Sequence, residues 1–149
     1  MLRGLANVSY WAEDVEAAMR WYADVLGVEP YFRRSGPDGR AAYAEFRLGD
    51  HQDEMGIVDR RYAPGGTSEP GGAVVYWHVD DVRGAYERLL SKGAKEYEPP
   101  TERGDSGFVT ASVVDPFGNV LGVMYNPHYV DVVDRIPPFE LPPIEHDAD

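Results

Sequence analysis

The sequence contains no cysteine among its 149 residues. Disulfide bonds, thiolate metal sites, iron–sulfur clusters and cysteine nucleophiles are therefore excluded. No apolar run approaches the roughly 20 residues that cross a bilayer. The first residues also lack the basic segment and apolar stretch of a secretory signal. We therefore expect one domain of ordinary size, located in the cytoplasm, with no membrane partner.

Positive charge is scarce as well. Fourteen Lys and Arg residues stand against twenty-six Asp and Glu, which gives a formal net charge of −12. Nucleic-acid binding depends on cationic side chains that displace counterions from phosphates. The charge balance therefore opposes nucleic acid as a partner, and we interpret most of the acidic residues as solvated surface.

Two stretches of the chain follow one plan. Asp14 and Asp81 lie 67 positions apart, and Gly27 and Gly93 lie 66 apart. Between each acid and its glycine, apolar residues recur at helical spacing. Each stretch therefore predicts a helix that the acid caps and the glycine ends. The two apolar stripes are Val15, Ala18, Met19, Tyr22, Val25 and Leu26, then Val82, Ala85, Tyr86, Leu89 and Leu90.

One strand-like segment precedes each predicted helix and three follow it. The segments are Leu5–Trp11, Glu29–Arg34, Ala41–Leu48 and Glu54–Val58, then Ala73–Val79, Lys95–Glu98, Phe108–Val114 and Val120–Tyr125. Turn residues at Gly36–Gly39 and Asp115–Gly118 separate neighbouring strands. The sequence thus predicts an α+β fold of two tandem βαβββ modules. Module one spans 3–60, a Gly- and Pro-rich linker spans 61–72, and module two spans 73–126.

The last part of the chain, 127–149, differs in character. Asn126–Arg135 has room for one short helical turn. The prolines of Ile136–Ile144 exclude a helix interior or a central strand. Its spaced apolar residues favour an extended arm, laid on the protein's own body or on a dimer partner, and a free acidic tail is the alternative.

The order of these motifs resembles the vicinal oxygen chelate superfamily, which includes glyoxalase, bleomycin-resistance and extradiol-dioxygenase proteins. The resemblance covers about residues 3–126 and rests on the duplicated modules and the runs Asp14–Gly27 and Asp115–Asn119. It implies curved mixed sheets around a cleft between the modules, a small-molecule ligand in that cleft, and a homodimer.

Metal-using members of that superfamily place four ligands on the sheets, two from each module. The resemblance maps these positions onto Asn7, Glu54, Val74 and Gly122. Asn7 offers only a neutral carbonyl oxygen, and the last two positions offer no ligating side chain, so Glu54 alone is a strong ligand. We therefore expect no cofactor and no catalytic divalent metal.

Strand alternation predicts which side chains face the cleft, if Asn7 does. The predicted ligand-binding residues are Asn7, Ser9, Trp11, Tyr43, Glu45, Arg47, Glu54, Tyr76, His78 and Met124. An aromatic wall with a few polar groups suits a small, partly aromatic molecule. Its carboxylates favour a cation, whereas Arg47 favours a carboxylate. As alternatives, Glu45 and Arg47 form an ordinary solvent face, and Trp11 and Tyr76 fill the space between modules.

The leading hypothesis is a metal-independent binding protein. The alternative is a lyase, isomerase or dioxygenase that uses a metal held by Glu54 and non-standard ligands. A metal-free enzyme with His78 or Glu54 as base is a further possibility. A free histidine titrates near neutrality, but a lone histidine on a strand is commonly a structural residue.

Overall fold

The computed structural model describes residues 5–63 and 69–136. The chain divides into two compact units, one on each side of 64–68. Unit one contains β1 (Asn7–Ala12), α1 (Val15–Leu26), β2 (Phe32–Ser35), β3 (Ala41–Leu48), β4 (Asp53–Asp59) and a 3-10 turn (Arg60–Tyr62). Unit two contains β5 (Tyr76–His78), α2 (Val82–Ser91), β6 (Lys95–Glu102), β7 (Val109–Val114), β8 (Val120–Tyr125) and α3 (Pro127–Val133). The predicted α+β class with two βαβββ modules is confirmed.

Each unit holds one four-stranded mixed sheet, with strand orders β1-β4-β3-β2 and β5-β8-β7-β6. The first strand of each module runs parallel to its last strand, and the other pairs are antiparallel. This order brings distant residues side by side, such as Asn7 beside Glu54 and Tyr76 beside Gly122. Sites on either sheet are therefore assembled from residues far apart in sequence.

Both predicted helices are confirmed, with the expected ends. The Asp14 side chain accepts a hydrogen bond from the Ala17 N–H, and Asp81 accepts one from the Gly84 N–H. Each bond satisfies a donor that a helix start leaves unpaired. Gly27 ends α1 with a φ of 70°, a left-handed conformation that favours glycine.

The apolar core of unit one lies between α1 and one face of its sheet. Tyr10 stacks on Tyr22 of the helix with ring centroids 5.8 Å apart, and Phe46, Met55 and Ile57 are at most 1% exposed. Burying a side chain of this size contributes about 1.5–3 kcal/mol. Because strand side chains alternate, packing this face under the helix turns the intervening residues to the opposite face.

Unit two repeats this arrangement between α2 and its own sheet. Its buried apolar residues include Val82, Tyr86, Leu89, Ala111, Val113, Leu121 and Val123. The buried carboxylate of Asp115 organises the turn between β7 and β8. It accepts hydrogen bonds from the N–H groups of Phe117 and Asn119 at 2.9 and 2.8 Å. The run Asp115–Asn119 is thus a structural turn that sets the start of β8.

Three strand boundaries differ from the prediction by three residues or more. β2 begins at Phe32, although the prediction began it at Glu29. β5 covers only Tyr76–His78, so the predicted strand over Ala73–Val79 is too long. β6 extends to Glu102, through two prolines, although the prediction ended it at Glu98. Proline is tolerated there because β6 is an edge strand with register shifts beside Glu98.

The end of the described chain is helical. α3 follows β8, and the Asn126 side chain caps it by accepting from the His128 and Tyr129 N–H groups. The Pro-rich arm predicted over Ile136–Ile144 lies, from 137 onward, outside the described residues. Within 5–63 and 69–136, no helix has the length and apolar character needed to cross a membrane.

Candidate functional site

The face of the unit-one sheet opposite α1, here called the open face, carries most of the predicted binding residues. Cross-strand pairing arranges them in three rows: Asn7, Glu54 and Arg47; Ser9, Gly56 and Glu45; and Trp11, Val58 and Tyr43. Neighbours in a row point to the same side of a sheet, and so do alternate residues of one strand. The structure therefore brings together seven predicted residues: Asn7, Ser9, Trp11, Tyr43, Glu45, Arg47 and Glu54.

Glu45 is the hydrogen-bond acceptor at the centre of this face. Asn7 Nδ2 donates to its Oε1 at 3.0 Å, and the Tyr43 hydroxyl also bonds to its carboxylate; the Tyr31 hydroxyl lies beside it. Burial and then the bond to Glu45 raise the pKa of Tyr43 to about 12. Ser9 Oγ in turn donates to Asn7 Oδ1 at 3.1 Å. The Glu45 carboxylate is thus already engaged by protein donors.

Glu54 is engaged in the same way. The Tyr31 hydroxyl donates to Glu54 Oε1 at 3.1 Å, and Arg47 Nε lies 3.9 Å from the same oxygen. The Arg47 guanidinium also lies over the Tyr31 ring, 4.3 Å from its centroid. Burial, followed by the carboxylates of Glu45 and Glu54, raises the pKa of Tyr31 above its ordinary value. Tyr31 therefore remains a hydrogen-bond donor at neutral pH.

Beside these polar residues lies a cavity of about 410 Å³, here called the aromatic groove. Phe32, Tyr43, Tyr62 and Val58 line it, together with Arg34. The rings of Phe32 and Tyr43 meet edge to face, with centroids 6.1 Å apart. The Arg34 guanidinium lies 5.7 Å from the Phe32 centroid. Apolar walls with a single charged group are typical of a small-molecule pocket.

Sequence reasoning missed four residues of this region: Tyr31, Phe32, Arg34 and Tyr62. A signal for two of them was present. β2 pairs with β3, which places Phe32 opposite Glu45 and Arg34 opposite Tyr43. Alternation applied to β2 as well would have placed both on the open face.

A wider hollow of about 1130 Å³ lies near the start of α1. Three of its charged groups pair with one another, since Arg61 Nη2 lies 2.6 Å from Asp59 and 3.2 Å from Asp38. Hydrogen bonding to Arg61 holds the pKa of Asp59 below its usual range. This hollow is larger than the aromatic groove, but its ion pairs anchor the end of β4 and leave no aromatic wall.

In unit two, the predicted residues Tyr76, His78 and Met124 share one face of the sheet. Tyr76 lies directly over Gly122. A Cβ added at that glycine would come 2.6 Å from Tyr76 Cδ1 and 2.8 Å from the Val75 carbonyl oxygen. Tyr76 therefore occupies the space that a side chain at position 122 would need.

His78 is held by its surroundings. Its Nδ1 accepts a hydrogen bond from the Asn126 N–H at 3.2 Å, and its ring stacks on Tyr129 with centroids 4.5 Å apart. This bond assigns the imidazole proton to Nε2, which lies 3.7 Å from Asp80 Oδ1. With the side chain only 12% exposed, the arrangement is that of a structural histidine that joins β5 to α3.

The residues present do not fit the divalent metal of the resemblance. Within the described ranges, no group of three or more His, Asp and Glu residues is placed to hold an ion. Both amide atoms of Asn7 are hydrogen-bonded to neighbours, and the Glu54 carboxylate faces a guanidinium. Gly122 contributes no side chain, and Val74 precedes β5. A cation would have to displace Arg47 and Tyr31 from Glu54, its one strong ligand.

Comparison with known proteins agrees with the fold. A family model described as the Glyoxalase/Bleomycin resistance protein/Dioxygenase superfamily matches residues 4–123. The chain belongs to this superfamily. No curated protein matches it.

Solved structures of the superfamily share this architecture. A glyoxalase-related enzyme from Fulvimarina pelagi is 22% identical, covering 85% of this chain and 90% of that one, with a TM-score of 0.67. A superfamily member from Sphaerobacter thermophilus DSM 20745 is 20% identical, covering 85% and 99%, with a TM-score of 0.65. TioX from Micromonospora sp. ML1 is 21% identical, covering 82% and 98%, with a TM-score of 0.60. At these identities the likeness shows the fold alone. The family model's match confirms the superfamily predicted from the sequence.

Proposed function

We propose that this superfamily member binds a small, partly aromatic molecule on the open face of unit one, without a divalent metal. The observation that carries the proposal is the aromatic groove beside the hydrogen-bonded residues around Glu45. The groove's volume of about 410 Å³ lies within the usual range for small-molecule pockets, roughly 300–1,000 Å³. The homodimer implied by the superfamily and the cytoplasmic location expected from the sequence belong to the same proposal.

The open face supplies both parts of such a site. Phe32 and Tyr43 present ring edges and faces, which favour offset or edge-on contact with a planar ligand. The polar residues beside them are held in place, because Asn7 and Tyr43 bond to Glu45 and Tyr31 bonds to Glu54. Polar groups held in this way lose little side-chain freedom when a ligand arrives, so they can orient it at low entropic cost.

Metal-dependent lyase, isomerase or dioxygenase chemistry has weaker support. Lewis-acid catalysis needs an ion with fixed ligands and an open coordination position. On the open face, the carboxylates are instead engaged by phenol, amide and guanidinium donors. We therefore infer that Glu54 positions Tyr31 and Arg47, and does not serve as a metal ligand.

A thermal-shift screen of small aromatic molecules tests this proposal, run with and without EDTA on protein dialysed free of metal. Hits should raise the melting temperature equally in both buffers, because a ligand stabilises only the folded form that it binds. Phe32→Ala should abolish their effect. Phe108→Ala, which removes a ring from unit two, is the matched control and should retain it.

Two results would contradict the proposal. One is stoichiometric metal that survives dialysis of the wild type and is lost in Glu54→Ala. The other is a set of hits that bind Phe32→Ala as tightly as the wild type.

A further inference from the structure

The hydrogen-bonding capacity left on the open face is that of a donor. Glu45 accepts bonds from Asn7 and Tyr43, and Glu54 accepts one from Tyr31 and faces Arg47. A carboxylate has about four lone-pair positions in all. Part of that capacity is therefore taken by the protein's own donors, with which a cationic ligand would have to compete.

Arg34, on the same face of the sheet, differs from these two carboxylates. Within the described parts of the chain, no carboxylate lies at ion-pair distance from it. The Arg34 guanidinium carbon lies 5.7 Å from the centroid of the Phe32 ring, and the side chain lines the aromatic groove. A guanidinium carries five N–H donors in a planar fork that matches a carboxylate. The groove therefore ends in an unused anion-binding group.

The neighbouring arginine, Arg33, does have an acidic partner. Arg33 pairs with Ala44 across the sheet and so points to the α1 side. There its Nη2 lies 2.6 Å from Glu16 Oε1. Two consecutive arginines thus have opposite roles, because one is neutralised by the helix and the other faces the groove with no acidic partner among residues 5–63 and 69–136.

We propose that the groove selects planar aromatic carboxylates, with the ligand's ring against Phe32 and Tyr43 and its carboxylate paired to Arg34. The inference rests on the proposed function and adds two points to it. These are the charge of the ligand and Arg34 as the residue that recognises that charge. The protein's net charge of −12 does not oppose it, because exposed charges beyond about 8–10 Å are largely screened at physiological ionic strength. The local guanidinium therefore decides the preference.

Three probes with one ring system test the charge preference: naphthoate, naphthamide and naphthylmethylamine, measured by isothermal titration calorimetry. Wild-type protein should bind naphthoate roughly two- to fivefold more tightly than naphthamide, the gain expected of an ion pair with an exposed side chain. Naphthylmethylamine should bind most weakly. Arg34→Gln should bring naphthoate to the affinity of naphthamide and leave naphthamide unchanged, and Arg34→Lys should restore part of the difference.

Arg33→Gln is the matched control, one residue away on the other face, and should leave all three affinities unchanged. Equal binding of naphthoate and naphthamide by the wild type, lost for both in Phe32→Ala, would overturn the charge preference and leave the proposed function standing. A preference for naphthoate that survives in Arg34→Gln would overturn the role of Arg34. Failure of the wild type to bind naphthoate would overturn the inference, and the aromatic screen would then judge the proposed function separately.

Discussion

The corresponding faces of the two sheets differ although the modules share one topology. In unit one, Tyr43, Glu45 and Arg47 on β3 are half-buried. Asn7 donates to Glu45, and Arg47 lies 3.9 Å from Glu54, so this face carries polar contacts between strands. In unit two, Thr110 and Ser112 on β7 are only 8% and 1% exposed. Duplication has thus kept the strand order and changed the side chains. The comparison teaches that a sheet position acquires a function from the residues on it and from what covers them.

The two faces also share one feature, an aromatic ring resting on a glycine. In unit one, a Cβ at Gly56 would lie 3.0 Å from Tyr43 Cε2, and its nearest neighbours are all atoms of that ring. In unit two, a Cβ at Gly122 would lie 2.6 Å from Tyr76 and 2.8 Å from the Val75 backbone oxygen. A side chain can move aside, whereas the Val75 oxygen is held by the hydrogen bond that it accepts from the Gly122 N–H at 3.1 Å. The two faces therefore differ in how far they can adapt.

The largest expected effect comes from adding one methyl group at each glycine. Gly122→Ala should lower the free energy of unfolding by about 3 kcal/mol, the upper part of the usual overpacking cost. Gly56→Ala should cost about 1 kcal/mol, because the Tyr43 ring can shift. Urea denaturation of both variants measures the difference. Equal decreases in the free energy of unfolding would show that the two faces are equally rigid and would contradict this difference between them.

His78 provides the next largest effect. His78→Ala removes a ring stacked on Tyr129 and the acceptor of the Asn126 N–H. We expect a loss of about 2 kcal/mol of stability, from lost packing and an unsatisfied donor. Ligand affinity on the open face should stay unchanged. Unaltered stability together with lost binding or turnover would instead return His78 to the candidate general bases.

Much of the fold was predictable because its signals are local. The stripe from Val15 to Leu26 and the runs Ala41–Leu48 and Val120–Tyr125 match α1, β3 and β8 to the residue. Uninterrupted periodicity with a cap or a turn at each end leaves few alternatives. The end of β6 was not predictable in this way, since proline is acceptable only once the strand is known to be at the edge.

The candidate site was predictable only in part. A period of two fixes which β1, β3 and β4 residues share a face, so Asn7, Glu45 and Glu54 were placed together. Alternation says nothing about which side chains reach each other. Tyr31 lies just before β2, and its hydroxyl meets Glu54 only because of how the chain enters that strand. Contacts of this kind depend on side-chain reach in three dimensions.

A smaller effect is expected from the ionisation of one tyrosine in each unit. The pKa of Tyr43 and of Tyr86 is raised to about 12 in each case. Burial is the main cause for Tyr43, whereas hydrogen bonding to Glu96 is the main cause for Tyr86. Glu96→Gln should therefore lower the pKa of Tyr86 substantially, and Glu45→Gln should lower that of Tyr43 only in part. NMR titration of ring-labelled tyrosine measures both.

The sign of the accompanying stability change follows from the direction of these shifts. The folded state holds the tyrosine proton more tightly than the unfolded chain, whose tyrosines titrate near pH 10. The stabilisation is fully present below that pH and is lost as pH rises through about 12. Glu96→Gln should therefore reduce the loss of stability between about pH 10 and pH 12 more than Glu45→Gln does. A larger effect of Glu45→Gln would show that charge and not burial dominates at Tyr43.

The smallest expected effect concerns two exposed ion pairs, one in each unit. Arg33 and Glu16 have side chains 56% and 40% exposed, so Arg33→Gln should cost less than about 1 kcal/mol. Arg103 pairs with Glu98 at similar exposure but also donates from Nε to the buried Thr110 hydroxyl at 2.9 Å. Arg103→Gln should therefore cost more, roughly 1–1.5 kcal/mol.

Because salt screens exposed pairs, the Arg33 effect should vanish in high salt while part of the Arg103 effect persists. Denaturation curves at two salt concentrations test this, and equal salt sensitivity would show that the bond to Thr110 adds nothing.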